Sequence, residues 1–146
     1  AASYLRRCGA DPDIVRELFS CDFDTVKDRA AILSGAQISD GVATASCPKG
    51  QQNATIIAAQ VADMLINIDH VEASFTFYYF ADDCIGVSAR SKGEINVQLV
   101  MEALGGGGHR TVAGAQLRGR TLAEAQGDVM AALHEIIDKD KEIDEK

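Results

Sequence analysis

Met101-Glu102-Ala103-Leu104-Gly105-Gly106-Gly107-Gly108-His109-Arg110 carries the chain from an apolar helical pattern into four consecutive glycines and a histidine. Glycine loses more backbone freedom on ordering than any other residue. A single glycine would end the helix. Four in a row suggest that something must approach the bare backbone, with N–H groups free to meet an anion. His109 adds a tunable donor or acceptor beside the run. The glycines alone suit a flexible loop equally well. The histidine and the regular elements on both sides weigh towards a site.

Working upstream, Val97, Val100, Met101 and Leu104 recur at helical spacing, and Asn96 is placed to cap that helix, with a ligand contact also open to it. Before it lies the clearest strand pattern. Val71, Ala73, Phe75, Phe77 and Tyr79 are predicted to face one way, and Glu72, Ser74 and Thr76 the other. Ala81-Asp82-Asp83 turns the chain into a second strand from Cys84 to Ala89. An earlier helix carries Ile57, Val61, Met64, Leu65 and Ile68 on one face. Asp40-Gly41, between Gln37-Ile38 and Val42-Ala43-Thr44-Ala45, signals a hairpin.

Residues 1–35 read as a helical connector, with Asp22 or Asp24 as a cap and Val26, Ala30 and Leu33 as an apolar face. Downstream of the glycines, Val112 to Leu117 suggest a strand. Thr121-Leu122-Ala123-Glu124 is a capping box. It opens a helix with Leu122, Ala125, Val129, Ala132, Leu133 and Ile136 on its apolar face. The charged tail from Asp138 to Lys146 is expected to fray or to project into water. Hairpins mixed with helical crossovers predict an α/β domain over residues 36–146, a mixed sheet flanked by helices.

The 146 residues carry a net charge of −8, which argues against broad electrostatic binding of nucleic acid and leaves room for a local basic pocket. No apolar run reaches membrane-spanning length. Cys8, Cys21, Cys47 and Cys84 have neither framework nor zinc spacing, so free thiols are expected. No P-loop, G-x-S-x-G or H-E-x-x-H occurs. The carboxylates and histidines show no joint metal-ligand spacing, and His70 and His134 read as exposed polar residues. Arg90 leaves a strand end as a potential phosphate fork, although taken alone it reads sooner as a solvated surface arginine.

Ser88-Ala89-Arg90-Ser91, Ile95-Asn96-Val97, the run from Met101 to His109, and Ala113-Gly114-Ala115 together resemble the DHHA1 domain, the C-terminal domain of DHH-family phosphoesterases. Within that family the stretches Val71–Phe75 and Gly86–His109, and the opening Ala1–Arg6, are most similar to the membrane-anchored, GdpP-type cyclic-di-AMP phosphodiesterases. The resemblance implies a DHHA1-like fold that grips a nucleotide across a cleft from a DHH domain holding two manganese ions. Arg90 and Ser91 would hold a phosphate. Asn96 and Gly105 would line the site, and Gly106, Gly107 and Gly108 would pack against the substrate. His109, the catalytic candidate, would hydrogen-bond near the scissile phosphate.

No cofactor is expected in the chain itself. The implied partners are cyclic-di-AMP or a short linear dinucleotide and the DHH domain, with a homodimer also open. The implied setting is the cytoplasmic part of a membrane-anchored protein, without direct membrane contact by this segment. The run after His109, Arg110-Thr111-Val112-Ala113-Gly114-Ala115, departs from the family, whose general members carry Ala-Ala-Gly in this region. This bears on the choice of substrate, and two further readings stay open. One is a nano-oligonucleotide phosphoesterase. The other is an RNA-binding module like that of alanyl-tRNA synthetases.

Overall fold

A computed structural model describes residues 22–144, with side chains to residue 141. The Ala1–Arg6 stretch, Cys8 and Cys21 lie outside those residues. Asp22 caps the first described helix, α1 (Phe23–Ser34), by accepting from the Thr25 amide. The expected face of α1 holds only at Leu33, which is half-buried against the core, while Ala30 is exposed. Val26 is 44% exposed, whereas Ile32 is buried. The positions of α1 that are buried or half-buried are Thr25, Asp28, Arg29, Ile32 and Leu33, where Asp28 accepts from the Gln51 side chain at 2.9 Å and Arg29 donates to that of Gln60 at 3.4 Å.

The hairpin forms as read, from β1 (Gln37–Ser39) and β2 (Val42–Ser46). Asp40 and Gly41 both have positive φ, 52° and 78°, as a two-residue type I′ turn requires. Helix α2 (Ala54–Ile66) then crosses to β3 (Ala73–Ala81), which lies parallel to β2. The two-residue turn Asp82-Asp83 reverses into β4 (Cys84–Ser91). A short α3 (Val97–Glu102), a two-residue β5 (Gly107–Gly108), β6 (Val112–Arg118) and a long α4 (Leu122–Asp144) complete the fold. The sheet order is β1-β2-β3-β4-β6-β5, with β2–β3 the parallel pair. This is the mixed, helix-flanked sheet that the sequence predicts.

Two cores result. On one face Phe75, Phe77, Ile85, Val87 and Leu117 pack with Val97, Val100 and Met101 of α3 and Val129 and Leu133 of α4. On the other, Ala43, Ala45 and Tyr78 pack with Ile57, Val61 and Leu65 of α2. The α2 face therefore differs from its prediction. Met64 is 44% and Ile68 40% exposed, while Ala58 and Ala62 are buried. Small residues bring the helix close to the sheet. Close packing also buries Ser74 and Thr76, which alternation alone would turn to solvent. Ser74 Oγ donates to the Ala62 carbonyl at 2.8 Å. Thr76 Oγ1 is buried without a partner.

The capping box closes in both directions. The Glu124 amide donates to Thr121 Oγ1 and the Thr121 amide to Glu124 Oε1, at 3.2 and 3.0 Å. The charged tail projects into water as a continuation of α4: the helix runs to Asp144, Asp138 to Lys141 are exposed, and the Glu135–Lys139 pair at i,i+4 supports it. Cys47 and Cys84 are free and buried, and burial pushes the Cys47 thiol up to about 11.

Candidate functional site

The glycine run has four distinct jobs. Gly105, at φ +86°, ends α3 in a left-handed turn. Its amide donates to the Glu102 carbonyl at 3.0 Å and the Gly106 amide to the Met101 carbonyl at 2.8 Å, the paired bonds of a Schellman cap. A Cβ on Gly106 would collide with the Gly114 carbonyl and Ala115, and one on Gly108, at φ +142°, would meet Val112 and Ala113. Gly107 differs. Its φ is not positive, and a Cβ there would meet nothing within 4 Å. Three of the four glycines are therefore required by the fold. The bare backbone at Gly107 is not.

The run is also a strand, which its lack of side chains hid from sequence reading. Gly107 pairs with Gly114, and Gly108 with Ala113, at the edge of the sheet. The expectation of free amides from Gly106 to Gly108 is corrected accordingly. The Gly106 N–H is consumed by the helix cap. The His109 amide donates to Val112 at 2.7 Å, so by antiparallel alternation the Gly107 N–H turns towards β6 and the Gly108 N–H towards the open edge.

His109 is exposed at the start of the β5–β6 turn. That turn is pinned to the segment after β4. The Ser91 amide donates to Thr111 O at 3.0 Å and the Val97 amide to Arg110 O at 3.1 Å. Arg110 donates to the Gly93 and Glu94 carbonyls. Ser91 is buried, its Oγ donating to Arg110 O at 3.4 Å and accepting from the Gly93 amide at 3.1 Å. Asn96 accepts from the Leu99 amide as the N-cap of α3. Both residues thus hold the scaffold on which His109 stands.

Arg90 is cross-strand from Val112, the residue that accepts from His109. Arg90 and His109 therefore share one end of the sheet, about 10 Å apart at two strand spacings. The Arg90 side chain is 13% exposed, with Nε 2.7 Å from Asp63 Oδ1 on α2 and Nη1 donating to Ala89 O. Asp63 is 61% exposed, so the pair is screened and weak. Guanidinium donors remain for a second acceptor.

Helix α2 covers β2 to β4 but stops short of β6. The uncovered strip forms a polar cavity of about 640 Å³, bordered by Tyr78, Ser88, Gly105, Gly106, Gly114, Gln116 and Arg118. Sequence reasoning missed Tyr78, Gln116 and Arg118. A signal for the last two exists: they alternate with the apolar Ala113, Ala115 and Leu117 along β6. Among the described residues no group of three His, Cys, Asp or Glu side chains could hold a metal ion. No described helix is long and apolar enough to cross a membrane.

A family profile described as the DHHA1 domain matches residues 25–139. The chain is 42% identical over 134 residues to the cyclic-di-AMP phosphodiesterase PdeA of Listeria monocytogenes, covering 91% of this chain and 20% of that protein. It is 39% identical over 144 residues to the cyclic-di-AMP phosphodiesterase GdpP of Geobacillus thermodenitrificans, covering 98% and 22%. The chain thus spans about a fifth of the length of these relatives. An exopolyphosphatase-related protein of Bacteroides fragilis shares the fold at a TM-score of 0.77 and 22% identity, over 91% of this chain and 41% of that one.

Proposed function

The chain belongs to the DHHA1 domain family, and from that premise we propose that it is the substrate-gripping domain of a phosphodiesterase that opens cyclic-di-AMP to linear pApA. The observation that carries this reading is Gly107, a bare residue that the fold does not require, on an exposed strand edge between His109 and a polar cavity. The relatives named for cyclic-di-AMP hydrolysis support the choice of substrate.

In this reading the chain binds and orients. A phosphate lies at the Arg90–His109 end of the sheet. Arg90 donates to it with the guanidinium nitrogens that Asp63 and Ala89 leave available. His109 completes the contact, and the flat backbone at Gly107 lets the sugar-phosphate lie close. Ser91, Asn96 and Arg110 act indirectly by fixing the turn that presents His109. The described residues do not fit a manganese centre. The two ions, which would activate the attacking water, are assigned to a DHH domain outside this chain, and no step here is routed through them. We place the assembly on the cytoplasmic side of a membrane-anchored protein, where the free thiols of Cys47 and Cys84 suit a reducing compartment.

The test is made in the complete phosphodiesterase. Arg90→Ala and His109→Ala should each lower kcat/KM for cyclic-di-AMP by roughly tenfold or more, as loss of a charged hydrogen bond does. Gly107→Val should do the same by blocking backbone approach. Unfolding midpoints should stay close to the parent. Normal kcat/KM in all three variants would overturn the reading. The isolated chain with manganese should release no pApA.

A further inference from the structure

The phosphate contacts occupy one end of the sheet and leave the cavity beside them without a role. Its floor is unusual. Gly86 lies directly across from Tyr78 on one side and Gln116 on the other. A Cβ at Gly86 would lie inside the Tyr78 ring, so the phenol is laid flat across the glycine towards β6. Gly114 and Gly106 continue the bare floor. Such glycine paving allows a flat group to approach the backbone closely.

The polar groups at this cavity are free to act. Of the five arginines among the described residues, Arg90 is tied to Asp63, Arg110 to two carbonyls, and Arg120 to Asp128 and Glu124. Arg29 bonds Gln60. Arg118 is exposed and has no side-chain partner among the described residues, and the same holds for the Gln116 carboxamide. Both line the cavity, with the 9%-exposed Ser88 opposite Gly114. Gln116 lies four residues along β6 from Val112, about 13 Å from the phosphate end at strand rise. The cavity volume of about 640 Å³ suits a nucleoside-sized group.

We propose that this cavity is a nucleobase subsite in which Gln116 reads the adenine edge and Arg118 holds the bound nucleotide by its charge. The inference rests on the nucleotide-binding reading above and adds base selectivity to it. A carboxamide can accept from adenine N6 while donating to N7. Guanine offers acceptors at both positions, so the Gln116 carbonyl oxygen would face O6 without a hydrogen between them. Selectivity for adenine then comes from repulsion as much as attraction.

The test uses the 146-residue chain as it stands, with cyclic-di-AMP and cyclic-di-GMP as probes. Ligand-induced NMR shifts are followed at the Gln116 and Asn96 side-chain amides and at the Gly107, Gly108 and His109 backbone amides. Cyclic-di-AMP should move the Gln116 side-chain signals together with those of the glycine edge. Gln116→Ala should weaken cyclic-di-AMP binding by about tenfold and, by removing the repulsion at O6, strengthen cyclic-di-GMP binding, closing the gap between them. Gln116→Arg, whose fork matches guanine O6 and N7, should favour cyclic-di-GMP. Arg118→Met should weaken both ligands alike and flatten their salt dependence. The variants' spectra should otherwise overlay the parent's, since both side chains are exposed.

If cyclic-di-AMP moves the glycine edge and His109 but not Gln116, or if Gln116→Ala leaves the adenine-to-guanine ratio unchanged, the base subsite is refuted and the phosphate site stands. If neither dinucleotide moves any of these signals, the nucleotide-binding reading fails, and the base subsite fails with it.

Discussion

The two faces of the sheet are finished differently. One is closed by α3 and α4 over β3, β4 and β6, with Phe75, Phe77, Ile85 and Val87 at 2% exposure or less. It opens at its β1–β2 end into a small cavity of about 270 Å³ beside Gln37, Thr44 and Gln126. The other is closed only as far as α2 reaches. On β6 the contrast lies within a single strand. Ala113, Ala115 and Leu117 are buried at 6–7%, while Val112 is 46% exposed and Gln116 and Arg118 face solvent. Stability comes mainly from the closed face and from the α2 half of the other. The candidate site occupies the remainder, where backbone and polar groups remain accessible because the second layer ends.

The largest expected effect breaks the closed face. Phe75→Ala removes a fully buried ring from the centre of the larger core and should destabilise the chain by about 3–5 kcal/mol, read as a fall in the urea midpoint. The same measurement on the open face should separate two neighbouring glycines. Gly106→Ala drives a methyl into the Gly114 carbonyl and Ala115 and should cost about 1–3 kcal/mol. Gly107→Ala meets open space at an ordinary backbone angle. It should be neutral or stabilise by about 0.4–1 kcal/mol, through a less flexible unfolded chain. Equal costs at the two positions would remove the distinction on which the assignment of Gly107 rests.

A change of opposite sign is expected under α2. Thr76 Oγ1 is buried without a partner, so Thr76→Val keeps the shape and removes a desolvated hydroxyl. A gain of about 1 kcal/mol follows, again read from denaturation. A loss of similar size would mean that the hydroxyl is hydrogen-bonded after all, and that the α2 half of this face is fully satisfied.

These contrasts also separate what the sequence revealed from what it hid. Signals carried by neighbouring residues were legible: the Asp40-Gly41 turn, the Thr121–Glu124 box, the Asn96 cap and the alternation from Ala73 to Tyr79. What needed a distant partner was not. Ser74 and Thr76 read as outward because period two cannot say that a helix covers the second face. Met64 outranked Ala58 and Ala62 on hydropathy, although close helix–sheet packing favours the alanines. Glycines have no side chains to alternate, so β5 was invisible. The Asp63 partner of Arg90 lies 27 residues away, and the Tyr78–Gly86–Gln116 row exists only once three strands are in register. The motif residues of the candidate site were therefore readable and its cavity was not.

The smallest expected effect concerns the cap of α4, the helix that helps close the closed face. Hydrogen bonding from the Thr121 backbone amide, helped by the Arg120 charge, holds the Glu124 carboxyl below its ordinary value of 4.5. A carboxyl whose folded pKa is depressed adds stability above its unfolded pKa and loses that contribution as pH falls through the folded value. Stability measured from neutral pH downward should therefore dip below about pH 4.5 in the parent chain. Glu124→Gln retains the neutral half of the box and should make this part of the dip shallower while leaving the urea midpoint at neutral pH only slightly lower. The open face should not respond, since the Glu124 partners Thr121 and Arg120 precede α4 and lie outside the lining of the cavity. Chemical shifts at Gly107 and His109 that follow the Glu124→Gln substitution at neutral pH would show that the two faces are coupled, and would break the comparison between them.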